Sequence, residues 1–361
     1  MIIGHGGNKQ ELAIRLGCSK DEIIDMSSNL NPLGPPEFIE SVIRDNLAAI
    51  RSLPEPDAIS MRKGFARYHT IDHNRVIAGN GTTFFIYTLP LALGCKRVLI
   101  AGPTYSDYKD ACLMHNIAFQ HCQAVDSEGF APNVDRLSAM AQWADTVFIC
   151  NPNNPTGSLM SKDSLLFLIK HHPDTLFVVD ESYLPFVDQA RQISLVSEEG
   201  FDNLIVLSSM SKIFSIPGLR TGFLSASRSV AKKIMVHYQP WSVNALAQAV
   251  ITHIFDHPDG IEPFYHQTRA YITAEKQIFC DQITGLDGID LFESTACFIL
   301  ARLTGELRSR SFCEQIGNDR LLIRDCSNFE GLSDQYVRFS LKDRAVNQRL
   351  ADQIRQVVTH V

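Results

Sequence analysis

The sequence predicts an α/β fold with a mostly parallel central sheet, and three observations support this prediction. Four apolar runs have the length and β-branched content of buried strands: residues 76–79, 146–150, 176–180 and 204–207. Helical patterns such as residues 161–170 lie between them, which is the alternation of an α/β sheet. A chemically distinctive residue follows or ends each run, namely Gly81, Asn154, Asp180 and Lys212. Ligands gather at the carboxyl ends of strands in such sheets, so these residues are the first candidates for a site.

The chain is longer than the size at which a single hydrophobic core keeps growing, since it has 361 residues. Two domains are therefore expected. After Arg228 the pattern changes to long helices, over residues 245–255 and 263–283. Alternating apolar residues near 322–326 and 336–341 then predict strands of a small sheet, packed by a terminal helix over 345–358.

The composition favours a small-molecule enzyme. A net charge of -7 argues against a nucleic-acid or anionic-membrane partner. Nine cysteines without a C-x-x-C pair predict reduced thiols, and no apolar run approaches the roughly 18 residues of a membrane span. Residues 1–5 lack the features of a signal peptide, so a cytoplasmic location is expected. His253 and His257 have helical i,i+4 spacing but no third ligand, so no metal site is predicted.

Lys212 lies just past the fourth predicted strand, in a segment rich in small hydroxyl residues. A lysine held out of water or near a second cation has a lowered pKa and can form a Schiff base with an aldehyde. Arg220 is a candidate second cation, and Ser209 and Ser211 offer hydroxyls to a phosphate. Together these residues suggest pyridoxal phosphate. A solvated lysine in a serine-rich turn would be the alternative for Ser-x-x-Lys alone.

The longer pattern carries a family resemblance. Ser209-Met-Ser-Lys212 followed by Gly218-Leu-Arg220-x-Gly222 resembles the Schiff-base segment of class I/II aminotransferases, which are pyridoxal-phosphate enzymes of fold type I. The resemblance covers essentially the whole chain and implies a homodimer with pyridoxal 5'-phosphate as cofactor. It also implies an N-terminal segment (1–40) against the active site, a large cofactor-binding domain (41–245) and a smaller C-terminal α/β domain (246–361).

A strand, a glycine-rich turn and a helix start occur together at residues 76–83. Free backbone N–H groups at a helix N-terminus form an anion site, and glycine lets the backbone approach a phosphate closely. The resemblance places the cofactor phosphate here, at Gly81, Thr82 and Thr83. Many relatives have an acidic residue at the position of Thr82, so only its amide is assigned a role. Gly-x-Gly alone would also suit any tight turn.

The resemblance implies that four side chains contact the cofactor ring. Tyr105 matches the aromatic residue that stacks on the ring, and Asn154 in Asn-Pro-Asn-Asn-Pro-Thr-Gly matches the donor to its phenolic oxygen. Asp180 matches the carboxylate that keeps the pyridine nitrogen protonated and the ring an electron sink. Tyr183 matches a second donor to the phenolic oxygen. Lys212, Asp180 and Tyr183 are the predicted catalytic residues.

The N-terminal segment resembles that of threonine-phosphate decarboxylases, which are related to histidinol-phosphate aminotransferases. The shared features are His5-Gly-Gly-Asn8 and residues 29–34, together with Pro-Trp-Ser-Val-Asn at 240–244. Turn geometry alone would also explain Asn29 and Asn31. The resemblance implies that the following residues contact substrate: His5, Gly6, Asn31, Asn154, Arg324 and Arg338.

The predicted reaction is decarboxylation of an O-phospho amino acid, either threonine phosphate, giving aminopropanol phosphate for cobalamin biosynthesis, or its serine analogue. A histidinol-phosphate-type aminotransferase is the alternative, and a non-catalytic ligand-binding relative is a third possibility. One position departs from the family. Relatives usually have a tyrosine that reaches the cofactor phosphate across a dimer interface, and here the residue is Leu53.

Overall fold

A computed structural model of the chain describes residues 6–359. Its α-helices are α1 (Lys9–Leu16), α2 (Phe38–Asp45), α3 (Ile59–His69), α4 (Gly81–Ala92), α5 (Asp107–Met114), α6 (Val134–Ala141), α7 (Lys162–His171), α8 (Ala190–Ile193), α9 (Met210–Ile213), α10 (Arg228–Met235), α11 (Ala245–Asp256), α12 (Ile261–Ile283), α13 (Ser309–Gly317) and α14 (Arg344–Thr359). Its strands are β1 (Ile24–Asp25), β2 (Val76–Gly79), β3 (Arg97–Gly102), β4 (Ala118–Gln123), β5 (Thr146–Cys150), β6 (Leu176–Asp180), β7 (Leu204–Ser209), β8 (Gly222–Ala226), β9 (Ile289–Leu291), β10 (Phe298–Leu303), β11 (Leu321–Leu322), β12 (Arg324–Asp325) and β13 (Tyr336–Ser340).

The larger sheet has seven strands in the order β2-β8-β7-β6-β5-β3-β4. Strand β8 runs antiparallel to both of its neighbours, and the other pairings are parallel. The central strands β5 and β6 are almost entirely buried, as expected for parallel strands covered on both faces. The structure confirms the predicted α/β class with a mostly parallel central sheet.

A second, antiparallel sheet has the order β12-β13-β10-β9. Helix α13 packs against β12 and β13, and α14 packs against α12 and α13. The N-terminal segment joins this part of the molecule because β1 pairs in parallel with β11, with Ile24 opposite Leu321. This pairing places the start of the chain next to its C-terminal part, and the residues that follow β1 lead directly into the site.

The domain boundary predicted at residue 245 remains a prediction. Helix α11 begins at this residue. This helix packs against α2 and α3 of the larger layer. Helices α11 and α3 come close together because Gly64 has no side chain. A Cβ at this position would lie 2.7 Å from the Cβ of Phe255. Phe255 also meets Phe65 and Phe223, each with ring centroids 5.9 Å away. Helix α11, which follows the predicted boundary, therefore packs on the larger layer.

A membrane span and a metal centre are two other features that residues 6–359 could form. No helix in that range is long and apolar enough to cross a membrane. No group of three or more His, Cys, Asp or Glu side chains there is arranged to hold a metal ion. The rings of His253 and His257 lie 4.2 Å apart, and His257 Nδ1 is 2.9 Å from the carbonyl oxygen of His253.

Candidate active site

A cavity of about 200 Å³ lies where β5, β6 and β7 end, and the last residue of each strand contributes to its wall. It is lined by Gly6, Ser27, Ser28, Asn29, Gly81, Thr82, Thr83, Tyr105, Ser106, Tyr108, Cys150, Asn154, Asp180, Ser182, Tyr183, Ser209, Ser211, Lys212, Arg220, Arg324, Phe329 and Arg338. Every site residue predicted from the sequence is in this wall except His5 and Asn31. His5 lies outside the described residues.

Lys212 is presented by α9, the short helix that follows β7. Burial lowers the pKa of its amine, and the nearby cations Arg220 and Arg338 lower it further, whereas Asp180 acts in the opposite direction. A lowered pKa favours the neutral amine, which is the nucleophilic form. The main chain is also held in place, because the Asn31 N–H donates to the Lys212 carbonyl at 3.1 Å.

The N-terminus of α4 forms one end of the cavity. Gly81 has a φ of +77°, and a Cβ there would lie 2.8 Å from Nη2 of Arg220. A Cβ on Gly222 of β8 would lie 2.6 Å from the backbone nitrogen of Thr82. The two glycines therefore let a guanidinium and a strand approach the first amides of the helix. Helix N-terminus and cation together make a site for an anion such as a phosphate.

The hydroxyls near this end have different environments. Ser211 Oγ donates to the Thr221 carbonyl at 3.3 Å and accepts from the Thr221 N–H at 3.4 Å. Its hydroxyl therefore ties α9 to the segment that follows Arg220. Ser209, the last residue of β7, lines the same end of the cavity. Of the two serines, Ser209 is better placed to donate to an anion.

Asp180 is fully buried at the end of β6 and has three donors. The Ser182 N–H and Oγ donate to Oδ1 at 3.0 and 2.5 Å, and the Tyr108 hydroxyl donates to Oδ2 at 2.9 Å. Burial raises the pKa of Asp180, while Ser182, Tyr108 and Lys212 counteract it. Tyr108 and Ser182 were not predicted from the sequence. The helical spacing of Tyr108 from Tyr105, whose ring it meets edge to face at 5.9 Å, was the available signal.

Strand β13 contributes Arg338 to the cavity wall, and this side chain is 5% exposed. Its Nη1 donates to Oδ1 of Asn154, and its Nη2 donates to the Ser27 carbonyl at 2.6 Å. Because the Asn154 oxygen is occupied, the amide NH₂ is the end that can donate into the cavity. The Nε of Arg338 has no hydrogen-bond partner among residues 6–359. A buried guanidinium with an unsatisfied donor is well suited to an anionic ligand.

Arg324 lies on the same side and is 9% exposed. Its Nη2 donates to Asn328 Oδ1 at 2.5 Å, and its guanidinium lies 5.2 Å from the ring centre of Phe329. Burial lowers its pKa, and the positive charge of Arg338 contributes in the same direction. Two mutually repelling cations on one wall create a strong site for an anion.

The structure corrects one predicted contact. Asn31 does not line the cavity; its Nδ2 donates to the Ile213 carbonyl and to Thr268 Oγ1, both at 2.8 Å. Asn29 is the asparagine at the cavity, where Nδ2 donates to the Tyr183 hydroxyl at 3.3 Å and Oδ1 accepts from Ser340 at 2.7 Å. Because the Tyr183 oxygen accepts from Asn29, its own O–H can donate into the cavity.

Comparisons with known proteins agree with this geometry. The sequence model of the family aminotransferase class I and II matches residues 21–354. Threonine-phosphate decarboxylase of Salmonella typhimurium is 31% identical over 361 residues, covering 99% of this chain and 97% of that protein. Histidinol-phosphate aminotransferase of Methanocaldococcus jannaschii is 28% identical over 341 residues, covering 93% and 89%.

Two further matches concern a longer relative and a solved structure. The adenosylcobalamin biosynthesis bifunctional protein CobDQ of Leptospira interrogans is 30% identical over 353 residues, which are 96% of this chain but only 40% of that protein. The crystal structure of L-threonine-O-3-phosphate decarboxylase from Porphyromonas gingivalis superimposes with a TM-score of 0.82 at 30% identity, covering 92% of this chain and 99% of that one.

Proposed function

Because the chain belongs to the aminotransferase class I and II family, whose members use pyridoxal 5'-phosphate, we propose that it decarboxylates an O-phospho amino acid. The substrate would be L-threonine O-3-phosphate, giving aminopropanol phosphate, or the serine analogue. The observation that carries the proposal is the pair of buried guanidiniums, Arg324 and Arg338, that neighbouring strands of the small sheet contribute to the cavity wall. A substrate with both a carboxylate and a phosphate would match two cations.

The residues of the cavity fit the cofactor. The amides of Gly81, Thr82 and Thr83, with Arg220 and Ser209, would hold its phosphate, and Ser211 would support this end through its bonds to Thr221. Tyr105 would stack on its ring, Asp180 would hold the proton on its ring nitrogen, and Asn154 and Tyr183 would donate to its phenolic oxygen. When bound, the cofactor supplies an aldehyde that bonds to an amine and a cationic ring that draws electrons from the bonds at the substrate Cα.

The placement of the substrate anions would select the reaction. The Cα bond that stands perpendicular to the ring plane is the one that breaks most easily, so a carboxylate held out of that plane favours loss of carbon dioxide. We propose that Arg324 and Arg338 hold the two anions and that Gly6 and Asn154 complete the substrate pocket. The Lys212 amine, whose lowered pKa favours the neutral form, would first take up a proton from the substrate ammonium group, and then Lys212 or a water would donate a proton to Cα in place of the carboxylate.

Incubation of the purified enzyme with threonine phosphate tests the proposal. Release of carbon dioxide and aminopropanol phosphate, with the cofactor in its aldehyde form, is the expected result. Conversion of the cofactor to its amine form with a keto-acid product would contradict it and favour the alternative, a histidinol-phosphate-type aminotransferase. That alternative is supported by the histidinol-phosphate aminotransferase relatives, and exchange between glutamate and 2-oxoglutarate would identify it. Absence of Schiff-base absorbance would instead indicate a ligand-binding protein.

We also propose that the enzyme is a cytoplasmic homodimer. The large apolar side chains of Leu47, Ile50 and Leu53 are exposed. The side chain of Trp241 is also exposed, and its backbone N–H donates to the carbonyl oxygen of Pro56, close to Leu53 in the sequence. Burial of this surface against a second copy would remove it from water. Leu53 has no hydroxyl to offer a cofactor phosphate. Sedimentation equilibrium should give twice the monomer mass, and a monomer at micromolar concentration would contradict the proposal.

Gly81→Ala should weaken cofactor binding about tenfold or more. The new Cβ would meet Arg220 at 2.8 Å and displace the guanidinium from the phosphate end. The measurement is the cofactor dissociation constant by absorbance. Gly94→Ala is the matched control, because Gly94 also has a positive φ, +65°, but no atom lies within 4 Å of its Cβ position. Equal loss of affinity in both variants would show that backbone strain, not the contact with Arg220, causes the effect.

Asn29→Ala and Asn31→Ala should both lower stability, but only Asn29→Ala should lower kcat. Loss of the Asn29 amide leaves the Tyr183 hydroxyl free to rotate, so kcat should fall about tenfold, and it leaves the buried Ser340 hydroxyl without its acceptor, so the fold should lose about 1–3 kcal/mol. Loss of the Asn31 amide also leaves buried partners unsatisfied and should destabilise the fold by about 1–3 kcal/mol, with kcat within about twofold. Steady-state kinetics and thermal denaturation of both variants check this, and a reversed pattern would contradict the assignment of Asn29 to the cavity.

A further inference from the structure

The loop between β12 and β13 links Arg324 to the larger sheet. Two residues of this loop, Asn328 and Phe329, contact the Arg324 guanidinium. The next residue, Glu330, points the other way and contacts side chains of the large sheet layer. We propose that Glu330 is a positioning residue, which sets the location of Arg324 and thereby the affinity for the substrate anion that Arg324 holds. This inference rests on the proposed function for the identity of the substrate.

Glu330 is held by two elements of the larger layer. Its Oε2 lies 2.6 Å from Nζ of Lys109 on α5 and 3.5 Å from Nε2 of His121 on β4. Its carbonyl oxygen accepts from Gln123 Nε2 at 3.1 Å. Lys109 directly follows Tyr108, the residue that donates to Asp180. The loop is therefore anchored to the helix that also supports the predicted cofactor ring site.

The loop is tight enough to transmit a displacement. The Phe329 N–H donates to the Cys326 carbonyl, and the Leu332 N–H donates to the Phe329 carbonyl, both at 3.0 Å. Gly331 has a φ of +95°, and a Cβ there would lie 2.4 Å from Oε1 of Gln123. Consecutive turns of this kind leave few ways to move Glu330 without moving Asn328 and Phe329.

Arg324 depends on this loop more than Arg338 does. Its charge is buried, and a buried guanidinium is destabilised when its hydrogen-bond partner and its stacking ring are lost. Arg338 is fixed instead by Asn154 and Ser27, which are outside the loop. Release of Glu330 should therefore weaken binding of the anion at Arg324 without disturbing Arg338 or the amine of Lys212.

A double-mutant cycle tests the proposal on the cofactor-loaded enzyme. Glu330→Gln and Lys109→Met should each raise KM for threonine phosphate about fivefold, which corresponds to the upper range of free energy for a partly exposed ion pair. In both variants kcat should stay within about twofold of the parent value. The double variant should be no worse than either single variant, because both remove the same contact. Glu314→Gln is the matched control, since the pair Glu314 with Arg310 is exposed and lies on α13, away from the cavity wall. The control should leave KM unchanged.

Two measurements do not depend on turnover. Calorimetric titration with inorganic phosphate should show the same fivefold loss of affinity in Glu330→Gln, and hydrogen exchange of residues 326–332 should be faster than in the parent. Unchanged KM, phosphate affinity and exchange in Glu330→Gln would overturn the proposal, as would additive effects in the double variant. If the parent enzyme fails to turn over threonine phosphate, the proposed function fails. The phosphate titration and the exchange comparison still decide the role of Glu330 in that case.

Discussion

Replacement of Lys212 by Ala should abolish turnover, with a loss in kcat of at least about 10³-fold, and should remove the absorbance of the bound aldehyde cofactor. Two features of this side chain support the expectation. It is a lysine of the cavity wall, on the short helix α9 that follows β7, and the cations Arg220 and Arg338 lie nearby. Its pKa is lowered by burial and by neighbouring cations, which favours the neutral amine that can bond to an aldehyde or accept a proton.

Lys276→Met is the matched control for this experiment. Burial also lowers the pKa of Lys276, but its Nζ donates to the Ser294 carbonyl at 2.5 Å and it is not part of the cavity wall. The control should retain the colour of the cofactor and most of the turnover, even if it is less stable. Persistence of both colour and turnover in Lys212→Ala would disprove the proposed function, whereas loss of both in the control would point to a general effect of removing a buried lysine.

The large sheet was predictable because its central strands are nearly continuous apolar runs. Strands β5 and β6 have that character, and buried parallel strands are expected to show it. The edge strand β4 was not predicted, since its residues alternate between exposed and partly buried positions and include glutamine and histidine. The antiparallel direction of β8 was not predicted either. Strand order and direction depend on tertiary packing, which a local pattern does not specify.

The site was predictable where a motif fixes both the residue and its surroundings, as it does for Lys212 and Asn154. Tyr108 was missed because its contact with Asp180 depends on how α5 packs on the sheet. Ser182 was missed although its contact with Asp180 is local, because the turn after β6 decides whether its side chain faces that carboxylate. For a related reason, the sequence could not show that Asn29, and not the predicted substrate contact Asn31, would be the asparagine in the cavity wall. Backbone turns in this segment, such as the one from the Leu30 N–H to the Ser28 carbonyl at 3.0 Å, determine which asparagine faces the cavity.

Replacement of Asp180 by Asn should retain the fold and bound cofactor but lower kcat by about 10²- to 10⁴-fold. The Asn oxygen can still accept from Ser182, and the new NH₂ group can donate to the Tyr108 oxygen because a hydroxyl both donates and accepts. The amide has no negative charge, however, to keep a proton on the ring nitrogen of the cofactor. The electron sink should therefore weaken while the phosphate end, formed by the α4 N-terminus and Arg220, continues to hold the cofactor.

Absorbance and kinetics together distinguish this result from loss of structure. The pH at which the ring nitrogen of the bound cofactor loses its proton should be lower in Asp180→Asn, because a carboxylate stabilises the cationic ring and an amide does not. Asp145→Asn is the control, since Asp145 accepts from the backbone amides of Lys96 and Arg97 at the opposite end of the same sheet. It should leave kcat within about twofold. Normal turnover in Asp180→Asn would mean that this carboxylate does not hold the ring proton, and the electron sink would then need another partner in the cavity wall.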